Sequence, residues 1–317
     1  MSKHQNEQTK FRTSIGGQAL IEGILMRGPT KQAIAVNTPD GMVVKEEELR
    51  LNKDRNPVIN WPIIRGIVIF VGSLVNGVKA LSYSAELAAD EETPQEPSKF
   101  EQWVEKHFGS ETAAKFLVAV AVLFGIVLAV GLFFILPTVL VSPLTTVVPS
   151  HILRNLIEGA IRIVIFLIYL IGVSRTKDIK RVFAYHGAEH KTIFCYEKGQ
   201  PLTVENVREQ SRFHPRCGTS FLFVVLIIAI LILSLVPWTT VWFRLVTRIV
   251  CLPIIVGVSY EINRWIGRHD NGFSRVIRSP GLWLQNFTTN EPDDSMIAVA
   301  IRALELVIPE EEGADKW

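Results

Sequence analysis

One stretch of the sequence combines residue types that suit metal binding: His-x-x-Glu-His at residues 186–190. On a helix, His186 and His190 lie one turn apart and project from the same face, so both imidazoles reach a single metal ion. Glu189 lies beside them, where a carboxylate suits a general base acting on water. This order is the inverse of His-Glu-x-x-His and corresponds to that of inverted zinc peptidases. The stretch therefore predicts a divalent metal site, with Zn²⁺ as the favoured ion.

A catalytic Zn²⁺ site needs a third protein ligand and one open position. His214 is the preferred third ligand, because Pro215 after it favours an extended backbone that suits a reaching side chain. Glu197, Cys217 and Cys195 are the alternatives. A thiolate added as a fourth ligand would close the site and favour a structural role.

Two other interpretations of these residues stay open: a polar, solvated helix face outside a membrane, and a functional site without metal. Three of the seven histidines and two of the three cysteines fall within residues 186–217. This clustering favours a site. If the site is catalytic, Arg216 or Arg27 is expected to stabilise negative charge that develops on the substrate.

The composition indicates a membrane protein. The chain has 317 residues, 48% of them hydrophobic, and its mean hydropathy of +0.27 is too high for an ordinary soluble domain. The net charge of +2 predicts no nucleic-acid partner. Three cysteines in a chain of this length do not form a disulfide framework.

Apolar runs predict the membrane segments. Four of them are long enough to cross a bilayer: residues 116–141, 152–173, 218–238 and 242–262. A fifth run, 62–83, contains three glycines and two cations, and is predicted to be an interfacial or re-entrant helix, or a short span. Glu158 and Arg162 are spaced to pair on one helix face, and Arg248 lies deep enough in its span to need a partner.

The N-terminal region is predicted to contain β-structure, because Asp40-Gly41 between two β-rich runs indicates a hairpin. We therefore expect a mainly α, polytopic helical membrane protein with a small β-containing cytosolic region. The expected domains are a disordered N-terminus (1–12), the β-containing region (13–60), the interfacial helix (61–89), an acidic linker (90–99), a four-helix membrane domain (100–262) with a His-rich loop (174–217), and an amphipathic C-terminal region (263–317).

Positive charges predict the orientation. The loop between the second and third spans holds nine lysines and arginines, whereas the loops 142–151 and 239–241 hold none. By the positive-inside rule, the His-rich loop and both termini are cytoplasmic, in a multi-pass protein of the cell membrane. Both halves of the His-rich site then lie at the same leaflet surface, which suits a lipid-linked or juxtamembrane peptide substrate.

A set of short motifs extends over residues 14–308: Gly16-Gly17-Gln18, Glu22-Gly23, Met26-Arg27, the run 185–191, Cys195-Tyr196-Glu197, the run 214–220 and Glu291-Pro292-Asp293-Asp294. With these motifs the chain resembles the YqhQ family of bacterial membrane proteins, whose function is unresolved and which are described as predicted metal-dependent enzymes. Asn290 stands where that family is expected to carry a basic residue.

The resemblance implies a metal enzyme and supplies no substrate. We therefore expect a membrane-embedded, metal-dependent hydrolase with Glu189 as general base. The alternative is a non-enzymatic membrane scaffold or transport-related protein with a structural or sensory metal site. The number of ligands discriminates between them, because a site closed by four ligands favours the structural role.

The predicted orientation is testable with single cysteines introduced at Gln200 and Val148 and a membrane-impermeant maleimide applied to intact cells. We expect labelling at position 148 and protection at position 200, because the positive charges keep the His-rich loop inside. The chain with its three native cysteines gives the baseline. External labelling at position 200 would contradict the orientation.

Overall fold

The computed structural model describes residues 11–49, 57–88, 102, 104, 106, 107, 109–237, 240–269, 271–311 and 313–316. The predicted acidic linker and all but the last two residues of the predicted disordered N-terminus lie outside them. The chain divides into two compact units. The first comprises Met1–Ala88, Leu170–Ile228 and Leu252–Trp317, and the second comprises Ala89–Tyr169 and Ala229–Cys251.

The first unit contains a four-stranded antiparallel sheet in the order β1-β2-β3-β4. Its strands are β1 (Gly16–Leu20), β2 (Gly23–Arg27), β3 (Lys31–Thr38) and β4 (Gly41–Glu48). Thr38 pairs with Gly41 across the two-residue turn Pro39-Asp40, which confirms the predicted hairpin. The predicted β-containing N-terminal region is therefore a meander in which each strand pairs with the next in sequence.

Nine helices account for most of the described residues. They are α1 (Ile64–Ala88), α2 (Ser110–Val130, continuing through a π-helical turn Gly131–Ile135 into Leu136–Val141), α3 (His151–Val173), α4 (Lys177–Glu197), α5 (Val204–Arg208), α6 (Gly218–Ser234), α7 (Val241–Arg268), α8 (Gly272–Thr288) and α9 (Asp294–Glu305). The expected mainly α class is confirmed.

Four described segments are long and apolar enough to cross a membrane: Ile64–Ala88, Phe116–Leu144, His151–Val173 and Trp242–Arg268. The first of them, α1, is a continuous 25-residue helix, although the sequence favoured an interfacial or re-entrant segment there. The predicted span 218–238 is a 17-residue helix, α6, about 26 Å long at 1.5 Å per residue. These helices indicate a membrane protein that contacts the lipid bilayer.

Both faces of the sheet are covered by helices. One face packs against α4 and α9, where Met26 contacts a buried cluster that includes Tyr185 and Leu304. The other face packs against α1 through Leu25 and Ala80. Alternate residues of β2 thus serve two separate cores, as the period of two in a strand requires. The sheet holds α4 in place from one side and α1 from the other.

The segment after α8 crosses α4 at close range. The main-chain N–H of Asn290 donates to the carbonyl of Phe183 (2.8 Å), and its side-chain amide donates to the carbonyl of Lys180 (2.9 Å). A Cβ atom on Gly187 would lie 2.0 Å from the carbonyl oxygen of Asn290. Only a glycine at position 187 allows this approach, which brings the C-terminal end of α8 onto the histidine helix.

The second unit contains a buried ionic cluster. Glu158 pairs with Arg162 (3.1 Å), as its spacing predicts, and with Arg248 (2.5 Å), so the deep arginine has the partner that it needs. Arg162 also donates to the carbonyl of Phe133 in the π-helical turn (2.7 Å), where the widened helix leaves a carbonyl oxygen available. Apolar surroundings make each of these bonds costly to break.

The close contact at Gly187 generates a prediction about stability. Gly187→Ala should lower stability by about 1–3 kcal/mol, because the methyl group forces α4 away from the segment at Asn290. Gly172→Ala is the matched control: a Cβ atom at that helical glycine meets nothing within 4 Å, and alanine favours the helix. Tryptophan fluorescence during heating in detergent measures both. Equal melting temperatures for the two variants would contradict the assignment.

Candidate metal centre

The helix α4 presents the two predicted histidines to one cavity. Thr176 precedes it in an extended conformation, and Asp178 lies in its first turn, where a carboxylate favours the helix N-terminus. From Ala184 to Glu197 nearly every residue is buried. The rings of His186 and His190 lie with their centroids 4.4 Å apart. The expected one-turn spacing on a single helix face is therefore present.

Main-chain carbonyls fix the orientation of both rings. Nδ1 of His186 lies 2.8 Å from the carbonyl oxygen of Thr288, and Nδ1 of His190 lies 2.6 Å from that of Arg212. Because a carbonyl oxygen only accepts hydrogen bonds, both Nδ1 atoms must carry the proton. In the neutral form of each ring, Nε2 therefore keeps its lone pair. This is the second contact that metal-binding histidines almost always make.

Cys217 completes a group of three ligand atoms. Its Sγ lies 3.1 Å from Nε2 of His186, and the ligand atoms of Cys217, His186 and His190 all lie within 4.8 Å of one another. Cys217 immediately precedes α6, whose N-terminal N–H groups favour a thiolate. Soft thiolate and imidazole donors in this number suit Zn²⁺ with one position left open.

The three groups influence one another's protonation. Burial raises the pKa of Cys217, but the charges of His186 and His190 outweigh this effect and hold that pKa well below the usual value of a thiol. Burial lowers the pKa of His186, and the neighbouring Cys217 more than reverses this, to about 9. These shifts pair a thiolate with a protonated His186, and a divalent cation bound between them would displace the proton on His186, because a histidine ligand must be neutral.

Glu189 of α4 lies in the same cavity and contacts the strand β1. Its Oε1 accepts the main-chain N–H of Gly17 (3.0 Å), whereas its buried Oε2 has no hydrogen-bond partner among the described residues. Burial raises the pKa of Glu189, and His186 and His190 offset part of this rise. A Cβ atom on Gly17 would lie 2.9 Å from Cδ of Glu189, so only a glycine allows the carboxylate to approach this strand.

His214, the preferred third ligand from the sequence, lines the same cavity and does not belong to the group of three. Its main chain is held on both sides by Gln285, which accepts its N–H and donates to its carbonyl, each at 2.8 Å. Burial lowers the pKa of its ring to about 4, so the ring is neutral. Its role as a ligand stays a prediction.

Glu197, one of the alternative ligands, serves as an anchor. It forms an ion pair with Arg216 and accepts the main-chain N–H of Thr13 (2.8 Å), and its Oε2 lies 3.7 Å from Nε2 of His214. Thr13 donates in turn to the Asp315 carboxylate (2.5 Å). These contacts join the wall of the cavity to the N-terminal and C-terminal segments.

Cys195, the other alternative, lies in a separate apolar cluster with Val207 and Ile297. Burial raises the pKa of this thiol to about 11, as expected of an inert core cysteine.

Arg27 lies at the exposed end of β2 and does not line the cavity. Glu22, at the turn before β2, forms an ion pair with Arg181 of α4 (2.6 Å).

The cavity lined by His186, His190 and Cys217 has a volume of about 470 Å³. Its lining combines the polar group with β1 and the first turns of α6: Thr13, Ser14, Ile15, Gly16, Gly17, Gln18, Ala19, Val182, Phe183, His186, Glu189, His190, Ile193, His214, Arg216, Cys217, Gly218, Thr219 and Leu222. The arrangement brings together three imidazoles, a thiol group, a carboxylate and a guanidinium in a space that accommodates a small molecule or a short segment of chain.

The groups that orient the two rings and the carboxylate could not be predicted from the sequence. The carbonyls of Thr288 and Arg212 and the N–H of Gly17 belong to the main chain. Because nearly every residue carries these groups, the residue types in a sequence do not indicate which of them will orient a site. Gln285 has no local pattern either. The single available signal was the pair Gly16-Gly17, since adjacent glycines indicate close approach of a backbone.

Comparison with known proteins shows which family this is. The family described as "Protein of unknown function (DUF1385)" matches residues 61–310. The chain is 33% identical over 308 residues to the "Uncharacterized protein YqhQ" of Bacillus subtilis (strain 168), covering 96% of this chain and 93% of that protein. No solved structure matches the chain. Neither the family description nor that of YqhQ names an activity or a bound metal. The chain belongs to the DUF1385 family of unknown function, and the resemblance to YqhQ expected from its motifs is confirmed.

Proposed function

We propose that this membrane protein is a metal-dependent hydrolase that binds Zn²⁺ through His186, His190 and Cys217. One observation carries the proposal. One ring nitrogen of each histidine and Sγ of Cys217 lie within 4.8 Å of one another, while a main-chain carbonyl holds Nδ1 of each ring. Rings fixed in this tautomer can offer Nε2 to a cation without reorganisation.

The donor set fits the ion. Nε2 of His190 is buried and has no hydrogen-bond partner among the described residues, and a buried unsatisfied nitrogen costs about 1–3 kcal/mol. A bound cation removes that cost. Two imidazoles and one thiolate are a catalytic donor set for Zn²⁺, because three protein ligands leave one coordination position for water or substrate.

A bound Zn²⁺ would supply Lewis-acid catalysis at this position. Glu189 supplies the base: the Gly17 N–H holds one carboxylate oxygen, and the other oxygen is available inside the cavity to accept a proton from the attacking water. Its raised pKa brings the carboxyl closer to the pH at which a general base transfers protons efficiently.

Arg216 is the cation that we assign to negative charge on the substrate. It lines the cavity, and its ion pair with Glu197 fixes one end of the guanidinium. Its buried Nη1 has no hydrogen-bond partner among the described residues. A preorganised donor of this kind stabilises an oxyanion without having to reorient.

The surroundings favour a substrate at the membrane surface. Gly218, Thr219 and Leu222 of the apolar helix α6 line the cavity, so a lipid-linked substrate or a juxtamembrane peptide can reach it from the bilayer. The concentration of lysine and arginine around the site favours the cytoplasmic leaflet of the cell membrane.

A non-enzymatic scaffold or transport-related protein with a structural or sensory metal site is the second candidate. The burial of His190 and Cys217 favours it, because structural sites exclude solvent.

An assay of hydrolysis discriminates between the hydrolase and the non-enzymatic candidate. Purified protein is incubated with fluorogenic peptides and p-nitrophenyl esters, before and after chelation. Turnover that disappears on chelation and returns with Zn²⁺ supports the hydrolase, and zinc binding without turnover supports the second candidate.

The ligand assignment predicts which variants lose metal. His186→Ala, His190→Ala and Cys217→Ser should each lose stoichiometric zinc, since each removes a metal–ligand bond. His269→Ala is the matched control, because His269 is exposed and stacks on Trp265. Elemental analysis of purified protein measures the ratio of zinc to chain.

His214 provides the complementary comparison. We expect His214→Ala to keep its zinc, and X-ray absorption of the zinc-loaded protein to show one sulfur at about 2.3 Å. A spectrum without sulfur, together with loss of zinc in His214→Ala, would show that His214 is the third ligand, as the sequence favoured. In that case the assignment of Cys217 is wrong.

Glu189→Gln should keep zinc and lower hydrolysis by about 10²- to 10⁴-fold, because the amide cannot accept a proton although its oxygen still accepts the Gly17 N–H. Zinc content and turnover of the same sample are compared with the parent. If zinc is lost together with activity, Glu189 is a ligand and another group acts as base.

A further inference from the structure

The helix α8 begins where a membrane-length helix ends. The helix α7 is long and apolar enough to cross a membrane up to Arg268, and only residues 269–271 separate it from Gly272, the first residue of α8. Asn271 fixes this start, because its side chain accepts the Ser274 N–H (2.8 Å) and its own N–H donates to the Ser274 hydroxyl (3.0 Å). One end of α8 is therefore held at the membrane boundary.

The middle of α8 packs on the start of a second apolar helix. A Cβ atom on Gly281 would lie 2.5 Å from Oγ of Ser220, in the first turn of α6, so the two helices are in close contact. The helices α6 and α7 follow each other in the chain, and two successive crossings return a chain to the side from which it started. The start of α6 and the end of α7 therefore lie at the same boundary, and α8 runs along it from Gly272 to Gly281.

The outer surface of α8 carries an apolar strip. Its members recur at intervals of three and four residues: Phe273, Val276, Pro280, Trp283 and Phe287. At 3.6 residues per turn they fall within about 80° of the helix circumference. Phe273, Val276 and Trp283 are 64%, 70% and 50% exposed. Water around this strip would forgo the free energy that burial of apolar side chains provides.

Polar residues form a second strip beside the apolar strip. Arg275, Ser279 and Asn286 are exposed and fall within about 40° of one another on the helix. The third side of α8 is buried and faces the candidate site, where Gln285 holds the main chain of His214. A helix with an apolar and a polar strip on its free surface suits the interface between lipid and water.

Tryptophans mark the level of this interface. The ring of Trp265, near the end of α7, lies with its centroid 6.1 Å from that of Phe273, so the apolar strip continues onto α7. Trp283 pairs with Phe287 at 5.2 Å. Tryptophan is enriched where the headgroups of a bilayer meet its hydrocarbon core, which is the depth that the contacts with α6 and α7 give to α8.

The charge around α8 favours one occupant over another. Residues 262–290 contain one acidic residue, Asp270, and four arginines: Arg264, Arg268, Arg275 and Arg278. Arg268 and Arg275 are exposed. A second copy of the chain would bring the same positive charge to this surface, whereas anionic lipid headgroups attract cations placed at the membrane surface.

We propose that α8 lies in the membrane surface as an in-plane helix, with its apolar strip among the lipid chains and with Arg268 and Arg275 bound to the phosphates of anionic phospholipids. The proposal does not depend on the proposed hydrolase or on a bound metal. It adds a role for the lipid, because the same helix supplies the Thr288 carbonyl that orients His186. Lipid on the outer side of α8 thus supports a wall of the candidate site on its inner side.

Spin labels at two positions test the depth of the two strips. Val276→Cys places a label on the apolar strip, and Ser279→Cys places a matched label on the polar strip, three residues further along. The full chain is reconstituted in nanodiscs of equal parts phosphatidylcholine and phosphatidylglycerol, and the chain with its three native cysteines gives the background. Collisions with oxygen report lipid, and collisions with a water-soluble nickel chelate report water.

We expect the label at position 276 to collide mainly with oxygen and the label at position 279 mainly with nickel, because the two strips face lipid and water. Equal accessibility of the two labels would overturn the proposal, since α8 would then lie wholly in water or wholly in lipid. Protection of position 276 from both reagents would also overturn it and would show that a protein surface, such as a second copy, covers the apolar strip.

Binding of phosphatidylglycerol to purified protein in detergent tests the charges, with bound lipids counted by native mass spectrometry and phosphatidylcholine as the background. Arg268→Gln and Arg275→Gln should each weaken binding about fivefold, the usual contribution of one cation near an anionic membrane surface. Arg302→Gln is the matched control, because Arg302 is an exposed arginine of α9, and it should bind as the parent does. Parent-like binding by both of the first two variants, or an equal loss in Arg302→Gln, would overturn the proposal.

Discussion

The candidate site depends on two hydrogen bonds from imidazole N–H groups to main-chain carbonyls. One acceptor, the carbonyl of Thr288, lies at the end of α8, and the other, that of Arg212, lies in the segment that leads to α6. Neither ring of α4 can rotate without losing its acceptor. Cys217 lies where Nε2 of His186, held in this orientation, meets its Sγ at 3.1 Å.

Those acceptors are in place because the chain packs closely around α4. Gly187 allows the segment at Asn290 to cross the helix, and Gly17 allows Glu189 to reach the edge of the sheet. Both glycines have negative φ angles, so close approach, and not backbone freedom, requires them. In each case a missing side chain on one element lets a polar group of another come within hydrogen-bonding distance.

The sequence predicted those parts of the protein that depend on short-range patterns. Helical spacing brought His186 and His190 together, and Asp40-Gly41 located a hairpin. It favoured His214 over Cys217 because Pro215 extends the backbone at His214, and this choice of ligand stays a prediction. The contact by which Gln285 holds the main chain of His214 spans 71 residues and has no local pattern. The partner of Glu22, Arg181, is 159 residues away, so no local pattern indicates this pair either.

The wall of the cavity has a consequence for the order in which the protein assembles. Thr13 and Ser14 bond to Asp315, about 300 residues later in the chain, and the same segment supplies Glu197 with a donor. A ribosome that has translated as far as α6 has synthesised both histidines, the cysteine, Glu189 and Glu197. It has not yet synthesised Asp315, which binds the N-terminal segment in place. During synthesis the residues of the candidate site are therefore made before the segment that closes the cavity. The cavity takes its final form only when the C-terminal segment binds Thr13 and Ser14.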